Sequence, residues 1–178
     1  MFMSDVEKLS RLYMFGTVPR PSLEALLIAA PPVTFKAGDL VFRQGTDADV
    51  ALLLVEGKLI ATVYSASGKE SRSIGDIRPG ELLGEQALFH PGGHRSATVT
   101  AAEPSVALLI TPTLLDAAAN NPAIAALEQY LLGTLARRIR RTNQAIQQVW
   151  KAESAPEPAP DEAKPTLRDR LRSLFGGG

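Results

Sequence analysis

Residues 80–99 read GELLGEQALFHPGGHRSATV, and the order of residue types in this run points to a ligand. Gly84 and Glu85 precede a short apolar run, Ala87-Leu88-Phe89. A Pro-Gly-Gly loop comes next, and Arg95-Ser96 then opens an alternating segment. Backbone N–H groups at the start of a one-turn helix favour an anion. Gly84 lacks a Cβ and allows a ligand to approach the main chain. Arg95 offers a planar set of donors that matches phosphate oxygens. An ionised Glu85 can only accept hydrogen bonds, so it suits a sugar hydroxyl and would repel a second phosphate. One arginine with one acid therefore fits a sugar carrying a single anionic phosphodiester. The competing reading is an exposed hairpin loop with an ordinary surface arginine.

Leu83-Gly84-Glu85, followed by Arg95-Ser96-Ala97-Thr98-Val99 with Arg95 ten positions after Glu85, resembles the phosphate-binding cassette of the cyclic nucleotide-binding domain family. Catabolite activator proteins and regulatory subunits of cyclic-AMP-dependent kinases belong to that family. Gly38-Asp39-Leu40-Val41-Phe42-Arg43-Gln44-Gly45 is similar to the family's second-strand pattern. Leu52-Leu53-Leu54-Val55-Glu56-Gly57 resembles the strand and turn that follow, and Gly80 opens the cassette as in relatives. The resemblance covers about residues 5–150. It implies a mainly β fold with flanking α elements: an eight-stranded, jelly-roll-like β-roll with N-terminal helices and a long C-terminal helix.

Periodicity alone predicts an all-β barrel or sandwich followed by a helix. Residues 31–115 alternate in short runs punctuated by glycine. Before them, 1–30 reads as a helical segment, with helices over 4–15 (Val6, Leu9, Leu12, Tyr13) and 21–30 (Leu23, Leu26, Leu27). Residues 116–151 carry the C-terminal helices, after a short helix predicted over 112–119. Asn121-Pro122 supplies a cap and a first-turn proline for a long helix reaching about Lys151. Its stripe is Ile124, Leu127, Leu131, Leu135, Ile139, Thr142, Ile146 and Val149, which predicts a homodimer through the 121–151 helix. Residues 152–165 form an acidic, proline-rich linker. A short amphipathic tail, 166–178, presents Leu167, Leu171, Leu174 and Phe175 on one face, open to a partner protein, a membrane or its own domain.

Bulk properties narrow the class. The chain has 178 residues, equal numbers (19) of basic and acidic side chains, and no cysteine. Disulfides and thiolate metal sites are excluded, and nothing suggests bulk binding to duplex DNA. The N-terminus lacks a signal-peptide core, and no run approaches the roughly 20 apolar residues of a membrane span. A cytoplasmic protein is expected. His90 and His94 flank Pro91-Gly92-Gly93, which breaks any helix that would align them, so exposed loop histidines are expected rather than a metal site. No metal or other cofactor is expected. The arginines at 137, 138, 140 and 141 read as a solvated helix face. No Ser/His/Asp or Cys/His set supports nucleophilic catalysis, so no enzyme is expected.

The resemblance implies a cyclic-nucleotide-sensing regulator, with cyclic AMP as ligand and cyclic GMP less favoured. Arg95 and Ser96, beside Ala97, would hold the cyclic phosphate with the N–H groups of Gln86, Ala87 and Leu88. Glu85, after Gly84, would hold the ribose hydroxyl. Ile74 and Ile77 are candidate apolar contacts to the base, and Thr142 and Asn143 would cap it. A polar break that merely fixes helix register is the alternative for that pair. His94 stands where relatives often have proline, and Gln86 replaces an apolar residue and so must point outward. The 27 residues after Lys151 are too few for a helix-turn-helix fold, so no DNA partner is expected. Output would pass through an effector protein, with 166–175 as a candidate docking peptide. The alternative is an interaction scaffold that keeps the fold but needs no nucleotide.

Overall fold

The structure is a computed structural model and describes residues 2–90 and 92–153. The chain divides into two compact units, Met1–Thr134 and Leu135–Gly178. The first unit opens with α1 (Phe2–Ser10), a 3₁₀ turn (Tyr13–Phe15) and α2 (Arg20–Ala29). Eight strands follow: β1 (Pro32–Phe35), β2 (Leu40–Phe42), β3 (Ala51–Glu56), β4 (Leu59–Tyr64), β5 (Ser71–Ile77), β6 (Leu82–Leu83), β7 (Thr98–Ala101) and β8 (Ser105–Ile110). They form two antiparallel four-stranded sheets, ordered β1-β8-β3-β6 and β2-β7-β4-β5. This is the expected β-roll. A second 3₁₀ turn, Glu85–Leu88, sits between β6 and β7, and α3 (Pro112–Ala117) and α4 (Pro122–Glu153) complete the chain.

The sheets close on each other through Leu52, Leu54, Leu59, Leu83, Val99, Ala101 and Ala107, with Phe42, Ala61 and Ile77 packed at the margin. Strand β3 is buried on both faces from Ala51 to Val55, and α1 packs against it. A near-continuous apolar run is what such a doubly covered strand needs. The β3–β4 turn requires Gly57: its φ is +90°, and an added Cβ would lie 2.3 Å from Ser105 Oγ. Buried Ser105 in turn accepts the Lys58 N–H at 3.2 Å.

The helices differ from the periodic reading in three places. The segment predicted as one helix over 4–15 splits, since α1 ends at Ser10 and a 3₁₀ turn follows. That turn buries Phe15 and leaves Tyr13 exposed, so Tyr13 does not belong to the buried stripe. In α4, Ile124, Leu127 and Leu131 are buried within the first unit. The start of the stripe is therefore domain core rather than seam. Ile139, Ile146 and Val149, in the second unit, are exposed. Asn121 caps the helix as expected, accepting the Ala123 N–H at 2.8 Å, and its amide donates to Ser22 O at 3.1 Å. Helix α3 is shorter than predicted and is capped by Thr111, whose Oγ1 accepts from Leu114 N at 3.1 Å. The linker from residue 154 onward and the 166–178 tail lie outside the described residues.

Candidate functional site

Gly84 leaves β6 in the left-handed region, φ +71° and ψ 22°, and starts the 3₁₀ turn. Glu85 is the first residue of that turn and is buried, at 8% exposure. Ala87 and Leu88 turn inward, while Gln86 faces solvent, as its polar side chain demands. The Ala87 N–H donates to Gly84 O at 3.1 Å, and the N–H groups of Phe89 and His90 both reach Gln86 O. The chain then returns to β7 alongside the 45–48 loop. Arg95 N donates to Thr46 O at 2.8 Å, Gly45 N to Arg95 O at 2.8 Å, and Ala48 N to Gly93 O at 2.9 Å. This local ladder fixes where Arg95 leaves the backbone.

Arg95 is 7% exposed. Its Cζ lies 3.6 Å from the centroid of the Phe42 ring, and its Nη2 is 3.5 Å from Asp49 Oδ1. Nη1 is buried with no hydrogen-bond partner. A Cβ on Gly84 would sit 2.3 Å from Nη1 and 3.1 Å from Phe42 Cε2, so glycine is required there for packing as well as for backbone angle. Burial draws the guanidinium pKa below its ordinary value, and Asp49 opposes that shift. The group remains a cation, since arginine does not deprotonate in proteins. A buried cation with an unpaired donor is costly in isolation. An anion arriving at Nη1 would relieve that cost.

Gly84 thus lies directly against the Arg95 guanidinium; Glu85, Ala87, Leu88, Arg95 and Ala97 are each buried, Gly84 is half-buried and Ser96 is exposed. Ile77 is half-buried and packs on the core margin. Ile74 is 60% exposed, at an irregularity where Ala61 pairs with Gly75 but Thr62 with Ser73. Thr142 and Asn143 are exposed on the second-unit part of α4. His90 and His94 are exposed, and His94 Nε2 lies 3.7 Å from Asp47 Oδ1. Among the described residues no group of three or more His, Asp or Glu side chains is arranged to hold a metal. Nor is any helix among them long and apolar enough to cross a membrane. The sequence pattern does not reach Phe42 and Asp49 as site residues. Both stand far from the cassette in the chain, and only the pairing of β2 with β7 and the path of the 45–49 loop bring them to Arg95.

Residues 32–121 match the family model described as the cyclic nucleotide-binding domain. The chain belongs to the cyclic nucleotide-binding domain family. It is 31% identical over 137 residues to the "CRP-like cAMP-activated global transcriptional regulator" of Mycobacterium tuberculosis, covering 77% of this chain and 59% of that protein. It is 35% identical over 97 residues to the "cAMP-dependent protein kinase regulatory subunit" of Dictyostelium discoideum, covering 53% of this chain and 28% of that one. The chain therefore spans less than two thirds of the length of either relative. Among solved structures, the Thermus thermophilus catabolite activator protein superposes with a TM-score of 0.65 at 25% identity, covering 76% of this chain and 62% of that chain. The family match includes both halves of the site, from Phe42 on β2 to Arg95.

Proposed function

We propose that this cyclic nucleotide-binding domain senses cyclic AMP and is a non-enzymatic, cytoplasmic regulator. The observation that carries the reading is the buried Nη1 of Arg95, unpartnered beside Gly84 and close to the turn that holds a buried carboxylate. The cyclic phosphate takes that donor, with Ser96, Ala97 and the N–H groups of Gln86 and Leu88 around it. The Ala87 N–H reaches the ligand only by sharing its bond to Gly84 O. Glu85 accepts from the ribose 2′-hydroxyl. Ile74 and Ile77 line the base. Relatives matched over longer stretches carry cyclic AMP in their names, while shorter matches are cyclic-GMP-dependent kinases; the longer match favours cyclic AMP.

In this reading the output is conformational. Ligand binding shifts the cassette and the long helix between two arrangements. The exposed Ile139, Ile146 and Val149 face pairs with its copy in a homodimer, and an effector protein reads the change, with 166–175 as docking peptide.

Thermal unfolding of the full chain with cyclic AMP, cyclic GMP and cyclic di-GMP tests the ligand. At about 100-fold over its dissociation constant the true ligand stabilises by about 2.7 kcal/mol. A midpoint unmoved by all three would instead support a scaffold that keeps the fold and needs no nucleotide.

A further inference from the structure

The phosphate-site arginine rests on an aromatic ring. Phe42 ends β2, where its backbone pairs with Val99 of β7, and it packs on the sheet core. One face of its ring meets the Arg95 guanidinium, with Cζ 3.6 Å from the centroid. Gly84 closes the same space: its absent Cβ would touch both Nη1 and Phe42 Cε2. Asp49, an acidic side chain paired with Arg95, is 83% exposed and reaches Nη2 rather than Nη1.

These contacts divide the labour around the cation. A buried guanidinium must be stabilised by something, and the usual device is a buried carboxylate. A carboxylate consumes donors and repels an incoming phosphodiester. The negative face of an aromatic ring attracts the cation without taking a hydrogen-bond donor. It also restricts a long, rotamer-rich side chain before the ligand arrives, which lowers the entropy lost on binding.

We propose that Phe42 is a positioning residue for ligand recognition, holding the Arg95 cation oriented so that Nη1 stays available to an anionic phosphodiester. The inference rests on the cyclic-nucleotide reading above. Its chemical content is a cation–π support under the anion-binding group, and it separates Phe42 from a residue that merely fills volume.

Two measurements on the full-length protein test it. Without ligand, the ring-current effect of Phe42 should move the Arg95 side-chain NMR signals upfield, and Phe42→Leu should abolish the shift. With ligand, Phe42 is replaced by a series of increasingly fluorinated phenylalanines, which weaken the ring's negative face at nearly constant shape. Calorimetry should then show cyclic AMP affinity falling steadily along the series, by about three- to tenfold at its end. Phe42→Tyr should retain affinity and Phe42→Leu should lose it to a similar extent as the most fluorinated ring. A flat series in a protein that binds cyclic AMP overturns the role of Phe42 and leaves the ligand reading standing. An absent upfield shift overturns the stacked geometry whatever the ligand. A wild-type chain that binds no cyclic nucleotide overturns the ligand reading, and the positioning role with it.

Discussion

Asp49 Oδ1 lies 3.5 Å from Arg95 Nη2, and the two side chains differ sharply in setting: Arg95 is 5% exposed and Asp49 83%. The carboxylate is in water and the guanidinium is not. Such a pair contributes little to stability, because solvent screens its exposed partner. It does set a negative charge beside the cation of the proposed phosphate site. Asp49→Asn should therefore tighten cyclic AMP binding by up to about fivefold, the equivalent of roughly 1 kcal/mol. The gain should shrink at high salt, and the thermal midpoint of the free protein should hardly move. Calorimetry at two ionic strengths checks this; weaker binding would mean that Asp49 helps the site rather than competing with the ligand.

Arg95→Ala should separate binding from stability. Affinity should drop by about 2–5 kcal/mol, because the ligand's charge loses its buried partner. Stability should change by no more than about 1 kcal/mol, since the variant also removes a buried donor that has no partner in the free protein. Lysine should restore only part of the affinity, having a point charge and no planar set of donors. Calorimetry and urea titration of the same preparations distinguish the two effects. Unchanged affinity would falsify the phosphate site.

Gly84→Ala should damage both. A left-handed φ of +71° costs a residue with a Cβ about 1–2 kcal/mol. The new methyl would also meet Arg95 Nη1 at 2.3 Å and must displace it. Denaturation should report the strain, and cyclic AMP affinity should fall towards that of the Arg95→Ala variant. Normal binding by Gly84→Ala would show that Arg95 need not occupy this position.

Glu85→Ala tests the ribose contact through a double cycle. Wild-type protein should lose affinity for the 2′-deoxy analogue, whereas the variant should lose little more. Two losses that simply add would remove Glu85 from the sugar hydroxyl.

The long helix offers a separate test. Leu135 is half-buried, and Ile146 is exposed on the same stripe. Changing both to aspartate would oppose like charges across a two-fold axis and should give monomers by light scattering. A dimer that survives places its interface on another surface.

Much of the fold and the cassette could be read locally. Glycines at turns, the short glycine-bounded runs of β3 through β8, and the Asn121-Pro122 start of α4 act through neighbouring residues, so their order in the chain was enough to place them. Gly84, Glu85 and Arg95 were legible for the same reason: one loop carries them all. Local reading failed where burial depends on distant partners. Tyr13 has the right spacing for a helix face, but the chain turns into 3₁₀ geometry and buries Phe15 instead. The stripe of α4 looks uniform in sequence, yet its first three members are core, Leu135 is half-buried and the later ones are exposed. Phe42 and Asp49 carried no signal as partners of Arg95. A cation–π stack needs a ring face at a given distance, and only the pairing of β2 with β7 supplies it. How the arginine is held was therefore settled in three dimensions, because the groups that tune a buried charge are chosen by proximity in space and not by order in the chain.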